Sequence, residues 1–109
     1  MKNKTPLSSD QKRHQLEATL TSAFKSWLEL QPDIAFYKAS DRYNKGISDF
    51  IICVRGMFVG VELKRDEGTP SAQQNLFIKQ ILDSGGIAGV AWTLAEAKAL
   101  VEEARQRRP

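Results

Sequence analysis

The strongest constraint on the fold is a pair of apolar segments that are separated by only two residues. Ser48–Val54 and Met57–Arg65 are rich in branched and aromatic side chains, and Arg55-Gly56 lies between them. Two such segments joined by so short a connection predict an antiparallel β-hairpin. Successive side chains of a strand point to opposite faces of the sheet, so the hairpin also predicts which residues share a face.

The remaining helices and strands are predicted from apolar spacing, capping residues and helix-stopping residues. They are a helix from Ser8 or Asp10 to about Leu30, a strand over Ile34–Lys38, a helix from Ser71 to Gly85, a strand over Ile87–Trp92 and a helix that opens at Thr93. The third strand, the helix after it and the fourth strand form a right-handed crossover, which makes those two strands parallel. We therefore expect an α/β fold of order α-β-β-β-α-β-α, with a mixed four-stranded sheet flanked by helices on both faces.

The length of the chain limits its domain organisation. A chain of 109 residues has the size of one domain. We expect a disordered lead-in over residues 1–7, a single domain over residues 8–105 and a loose basic tail over residues 106–109.

Composition bounds the compartment and the class of partner. No apolar run approaches the roughly 20 residues of a membrane span or forms a signal peptide. Cys53 is the single cysteine, which excludes an internal disulfide and favours a reducing cytoplasm. It lies in an apolar run, so we expect a small core residue. The net charge of +3 permits a nucleic acid as partner without demanding one.

Candidate chemistry lies near the open end of the predicted hairpin. Strand alternation puts Glu62 and Lys64 on one face, with Gly60 beside them leaving room for something to approach. Asp49 begins an otherwise apolar strand, and counting outward from the turn brings it level with Glu62 within one residue. Two carboxylates held together call for a positive charge between them, and such oxygen ligands suit Mg²⁺ or Mn²⁺.

The order and spacing of these residues resemble the VRR-NUC family of the PD-(D/E)XK nuclease superfamily, which has a restriction-endonuclease-like fold. The motifs that carry the resemblance are Gly46-Ile47-Ser48-Asp49, Glu62-Leu63-Lys64 and Ser71-Ala72-Gln73-Gln74. No one of them is specific alone, but their order and setting together are. The resemblance covers nearly the whole chain, from Glu17 to the last helix. Family members that stand alone at this size look like viral or bacterial proteins, so the resemblance implies the cytoplasm of a bacterial cell or a phage-infected host. Ser48 departs from the family, which usually has proline before the aspartate.

The resemblance implies a role for each residue of the site. Asp49, Glu62 and the backbone carbonyl of Leu63 would bind the metal, which activates a water for phosphodiester hydrolysis that leaves a 5′-phosphate. Lys64 would steer or activate that water, or stabilise the charge growing on the phosphate. Gln74 would contact the lysine, the water or the phosphate.

The resemblance also implies more peripheral positions. Glu17 matches an acidic position of the first helix and would complete the metal site through a water. Lys38, Arg42 and Lys45 lie where basic residues could contact substrate phosphates.

Each assignment has a purely structural alternative. Asp49 could cap a loop amide, and Glu62 and Lys64 could be a solvated pair on an edge strand. Gln74 could be only the second half of a capping box, and it could also combine both roles. Glu17 could be an ordinary surface residue of its helix, and the three basic residues could be solvated.

Two classes of function remain open at this point. The first is a structure-selective DNA endonuclease resembling Holliday-junction resolvases, which would act as a homodimer on branched DNA because two symmetric strands need two sites. The second is a non-catalytic nucleic-acid-binding module on the same fold, although such a relative would be expected to lose one of Asp49, Glu62 or Lys64. A sequence-specific restriction-type enzyme ranks lower, because the chain shows no added recognition domain.

Overall fold

The computed structural model describes residues 8–39, 48–65 and 68–107. The elements within these ranges are α1 (Ser9–Glu29), β1 (Ile34–Lys38), β2 (Phe50–Val54), β3 (Met57–Leu63), α2 (Ala72–Asp83), β4 (Ile87–Ala91) and α3 (Leu94–Arg107). Their order is the predicted one, and their bounds differ from the expected bounds mainly at the ends. No helix in these ranges is long and apolar enough to cross a membrane.

The four strands form one mixed sheet in the order β1-β2-β3-β4. The pairs β1/β2 and β2/β3 are antiparallel, whereas β3/β4 is parallel, as the crossover through α2 predicts. Arg55 and Gly56 both have positive φ, 53° and 87°, which is the backbone of a two-residue hairpin turn that matches the twist of its strands. The predicted hairpin is therefore confirmed.

One face of the sheet carries the main hydrophobic core, under α1 and α3. Alternate residues of β2 and β3 point into it, and Phe50 and Val61 are fully buried there. Phe24 of α1 meets Phe50 edge to face, with ring centroids 5.0 Å apart. Val101 of α3 belongs to the same buried cluster. The core-facing residues of β3 fix this strand in place, and its alternate residues point to the opposite face of the sheet.

Helix α2 covers the opposite face, but only over β3 and β4. Ile81 is its buried residue and packs on Gly60 of β3. The part of this face formed by β1 and β2 has no helix over it among the described residues, and Tyr37 there is 67% exposed. Cys53 lies on the same uncovered part and is exposed, so the expectation of a core cysteine is wrong.

The last helix extends further than the sequence indicated. α3 runs to Arg107, so the expected loose tail is wrong for Gln106 and Arg107. Arg105 ties this helix to the segment before β1, because its guanidinium donates to both carboxylate oxygens of Asp33 at 2.6 and 3.0 Å. Asp33 also accepts from Arg55 at 2.9 Å. The expected lead-in over residues 1–7 and the last two residues of the chain lie outside the described ranges.

Candidate active site

Asp49 and Glu62 meet at the open end of the β2–β3 hairpin. The last paired residues of the ladder are Phe50 and Val61, which leaves Asp49 beside Glu62. The backbone N–H of Asp49 donates to Glu62 Oε2 at 3.2 Å, and the N–H of Leu63 donates to Asp49 Oδ2 at 2.8 Å. Each carboxylate is therefore held by the backbone of the other segment, and the expected convergence of the two residues is present.

Two further side chains converge on the other oxygen of Glu62. The Nε2 atom of Gln74 donates to Glu62 Oε1 at 2.8 Å, and Lys64 Nζ lies 3.7 Å from the same oxygen. The Glu62 side chain is 2% exposed and that of Lys64 is 25% exposed, so the alternative of a solvated surface pair is wrong for Glu62. The site thus combines two acidic side chains, one amide and one ammonium group.

Gln74 is placed by the start of α2. Ser71 is the N-cap, its hydroxyl accepts from the Gln74 N–H, and Gln74 Oε1 accepts from the Ser71 N–H at 2.8 Å. This is a complete capping box, in which one end of the Gln74 amide serves the helix cap and the other reaches Glu62. The capping box is therefore present, and the same amide also contacts Glu62. The predicted contact of Gln74 with the lysine, a water or the phosphate stays a prediction.

The electrostatics of the site are unbalanced. Burial, and next to it the nearby charge of Asp49, raise the pKa of Glu62 to about 7, while the charge of Lys64 acts in the opposite direction. An ionised carboxylate is costly to bury unless enough positive charge is close to it. At 3.7 Å, one partly exposed ammonium group does not compensate two converging carboxylates. Additional positive charge would stabilise the ionised pair.

The donor set fits a divalent cation of the Mg²⁺ or Mn²⁺ type. Carboxylate oxygens are the hard ligands that these ions prefer, and both ions commonly keep several water ligands. Asp49 and Glu62 are the two acidic side chains available, and the described residues contain no group of three histidine, cysteine or acidic residues that could hold a metal. Glu17 lies in α1, and its side chain falls outside the described part of the chain.

Lys38 is the one predicted phosphate contact among the described residues, and it does not join this cluster. Lys38 pairs with Phe50 in the β1–β2 ladder, so it points to the face that carries α1 and α3. Glu62 alternates with Val61 and Leu63 and belongs to the α2 face. Lys38 is therefore at the same end of the sheet but on its other side. Arg42 and Lys45 lie outside the described residues.

Two residues beside the site have surroundings that the sequence did not indicate. The space over Gly60 is filled by Ile81, whose Cδ1 atom lies 2.7 Å from the position that a Cβ on Gly60 would occupy. Ser48 is 1% exposed, and its Oγ lies 3.1 Å from the same position with no hydrogen-bond partner among the described residues. The apolar spacing of α2 predicted that Ile81 is buried but not what it would meet.

Comparison with known proteins identifies the fold. No protein-family model matches the sequence, and no curated protein matches it. A solved structure described as a VRR_NUC domain matches with a TM-score of 0.56 and 19% sequence identity, over 84% of this chain and 95% of that one. The match extends over nearly all of the other domain and includes the α-β-β-β-α-β-α arrangement. The chain therefore has the fold of the solved VRR_NUC domain.

Proposed function

We propose that the chain is a metal-dependent DNA endonuclease that hydrolyses phosphodiester bonds. The observation that carries the proposal is the convergence of Asp49, Glu62, Lys64 and Gln74 within hydrogen-bonding or ion-pair distance at one end of the sheet. The fold is shared with a domain whose name designates a nuclease. A fold alone does not define a function, so the composition of this site is the stronger support.

The residues have distinct parts in the proposed reaction. Asp49 and Glu62, with the backbone carbonyl of Leu63, would hold Mg²⁺ or Mn²⁺. A divalent ion at such a site supplies Lewis-acid polarisation of the scissile phosphate and a water of lowered pKa. The Lys64 side chain is partly exposed. Its ammonium group would face a substrate phosphate and stabilise the negative charge that grows during attack. Gln74 would orient Glu62 through the hydrogen bond to Oε1.

The substrate proposed is branched DNA, and the active form proposed is a homodimer. A chain of 109 residues offers little surface to surround a duplex, and two symmetric strands require two active sites. The net charge of +3 permits a polyanionic partner. Lys38, Arg42 and Lys45 remain proposed phosphate contacts, with Lys38 reaching the substrate from the α1 side of the sheet. Glu17 remains a proposed outer ligand through a water.

The test is cleavage of labelled DNA by the purified protein. A four-way junction, a flap and a linear duplex of matched sequence would be incubated with Mg²⁺, Mn²⁺ or EDTA. We expect metal-dependent cleavage with preference for the junction. Replacing Lys64 by alanine should reduce kcat by about 100-fold to 1,000-fold, the range seen when one group that stabilises transition-state charge is removed.

Lys79→Ala provides a charge-matched control. Lys79 forms an exposed ion pair with Asp83 on the outer side of α2, and its removal should leave cleavage unchanged. If no substrate is cleaved with either metal while junction DNA is still bound, the enzyme assignment fails and the non-catalytic binding module takes its place. Equal cleavage of junction and duplex would refute only the structure preference, and sedimentation of an active monomer would refute the homodimer.

A further inference from the structure

Helix α2 is held against the sheet at two points along one of its faces. Gln74 contacts Glu62 near the start of the helix, and Ile81 packs on Gly60 near its end. Gln74 and Ile81 are two helical turns apart, about 10 Å along the axis. On β3, Gly60 and Glu62 are neighbours on one face, about 7 Å apart. The packing of Ile81 and the contact of Gln74 therefore depend on the same distance between helix and sheet.

That distance is short because Gly60 has no side chain. A Cβ atom at position 60 would lie 2.7 Å from Ile81 Cδ1, well inside the 3.5–4.0 Å of an ordinary carbon contact. The other branch of Ile81 is confined in the same way, since a Cβ on Gly86 would lie 2.8 Å from Ile81 Cγ2. Ile81 is thus enclosed between two glycines, and it is the buried residue of α2.

The contact between Gln74 and Glu62 has little freedom to adjust. The Gln74 amide already uses its oxygen in the capping box, at 2.8 Å from the Ser71 nitrogen. Ser71 belongs to the same helix end, so it moves together with Gln74. An outward shift of α2 by about 1 Å would lengthen the 2.8 Å bond to Glu62 beyond the range of a hydrogen bond.

We propose that Gly60 and Ile81 are positioning residues of the candidate active site, because the close packing of Ile81 on Gly60 sets the helix depth at which Gln74 reaches Glu62. This inference rests on the proposed nuclease function for its effect on catalysis. Its structural part, the link between Gly60 and the Gln74–Glu62 hydrogen bond, stands without it. Neither Gly60 nor Ile81 touches the substrate in this proposal, and both act through Gln74.

The test is a Gly60→Ala variant with a designed rescue. The added Cβ meets Ile81 Cδ1, which is the one atom that valine lacks, so Gly60→Ala/Ile81→Val should let the helix return. Gly60→Ala/Ile78→Val is the matched control. It removes the same methyl group from another isoleucine of α2, which is not among the three nearest contacts of position 60. This double variant should behave like Gly60→Ala alone.

Two measurements are made on each variant. The first is the side-chain amide resonance of Gln74 in ¹⁵N-labelled, metal-free protein, assigned by its loss in Gln74→Ala. The second is cleavage of the four-way junction with Mg²⁺, resolved into kcat and KM. In Gly60→Ala we expect the resonance to move toward that of a solvated amide. We also expect kcat to fall by about 10-fold to 100-fold with KM nearly unchanged, as for a group misplaced by 1 Å.

The outcomes separate this inference from the proposed function. Recovery of both the resonance and kcat in Gly60→Ala/Ile81→Val, but not in the Ile78 control, supports it. An unchanged resonance in Gly60→Ala, or a loss that the Ile81 change does not reverse, overturns it. If Gly60→Ala does not fold, the rescue variant must fold with the wild-type resonance, and its failure to do so also overturns the inference. Absence of cleavage by the wild-type protein refutes the nuclease function, while the resonance still decides the positioning role.

Discussion

Glu62 should make the metal-free protein less stable as the pH rises. Its pKa is raised to about 7, mainly by burial and then by the charge of Asp49, against an ordinary value of 4.5. The folded state therefore holds this proton more tightly than the unfolded chain does. The contribution of Glu62 to stability is therefore greatest below pH 4.5 and is lost as the pH rises through about 7. The full shift corresponds to about 3 kcal/mol, of which about 2 kcal/mol is lost between pH 5 and pH 8, because part of the loss occurs below pH 5.

The perturbation that tests this is Glu62→Gln, which removes the ionisable group and keeps its size. Urea unfolding in EDTA at pH 5 and pH 8 gives the free energy of unfolding of each protein. Between pH 5 and pH 8, the free energy of unfolding of the wild type should fall by about 2 kcal/mol more than that of the variant. Titratable groups that the two proteins share cancel in the difference.

Equal pH dependence in the two proteins would refute the argument, because it would mean that Glu62 is already ionised at low cost in the folded state. Adding Mg²⁺ at pH 8 gives a second check. A cation held by Asp49 and Glu62 should raise the stability of the wild type and leave Glu62→Gln nearly unchanged. Stabilisation of both proteins to the same extent would place the ion elsewhere.

Three further predictions concern residues around the site and the core. Ser48→Ala should raise the free energy of unfolding by about 1 kcal/mol, because the buried hydroxyl has no partner among the described residues, and a loss in urea unfolding would show that a water satisfies it. Arg105→Ala should lower Tm clearly more than Arg107→Ala, since Arg105 binds Asp33 across the fold whereas Arg107 forms an exposed pair within α3; equal shifts in a thermal scan would contradict this. Cys53 should react with a thiol reagent in the native protein as fast as in urea, and strong protection would show that another surface covers it.

The carboxylate pair could be predicted from the sequence because its placement is local. A two-residue turn and the alternation of side chains fix the register of the hairpin, and the register puts Asp49 beside Glu62. The capping box of Ser71 and Gln74 is equally local, since its members are three residues apart. The contact of Gln74 with Glu62 depends in addition on the distance between α2 and the sheet. The spacing of residues in the sequence does not predict that distance.

The wrong expectations concern contacts between distant segments. Cys53 has apolar neighbours in the sequence, which suggested a buried position. Whether its face of the sheet is buried depends on where α2 lies. Because α2 covers only β3 and β4, Cys53 is exposed. The end of the chain from Gln106 was expected to be loose because it is basic. Helix α3 instead continues to Arg107, and Arg105 within it donates to Asp33, which is 72 positions earlier in the chain. Gly60 was expected to leave open space, and the space is taken by Ile81.

The turn at Arg55 and Gly56 controls the site from the far end of the hairpin, about 20 Å away by strand rise. The side chains of the site that come from this hairpin are those of Asp49, Glu62 and Lys64. The turn fixes the register of the two strands and therefore the relative positions of these side chains. Inserting a single residue there would shift the register of the two strands by one residue and turn Asp49 toward the core. Glu62 and Lys64 would stay where they are. The chain would thus lose its carboxylate pair with every acidic residue still in place. The length of the turn is therefore as necessary to the site as the acidic residues themselves.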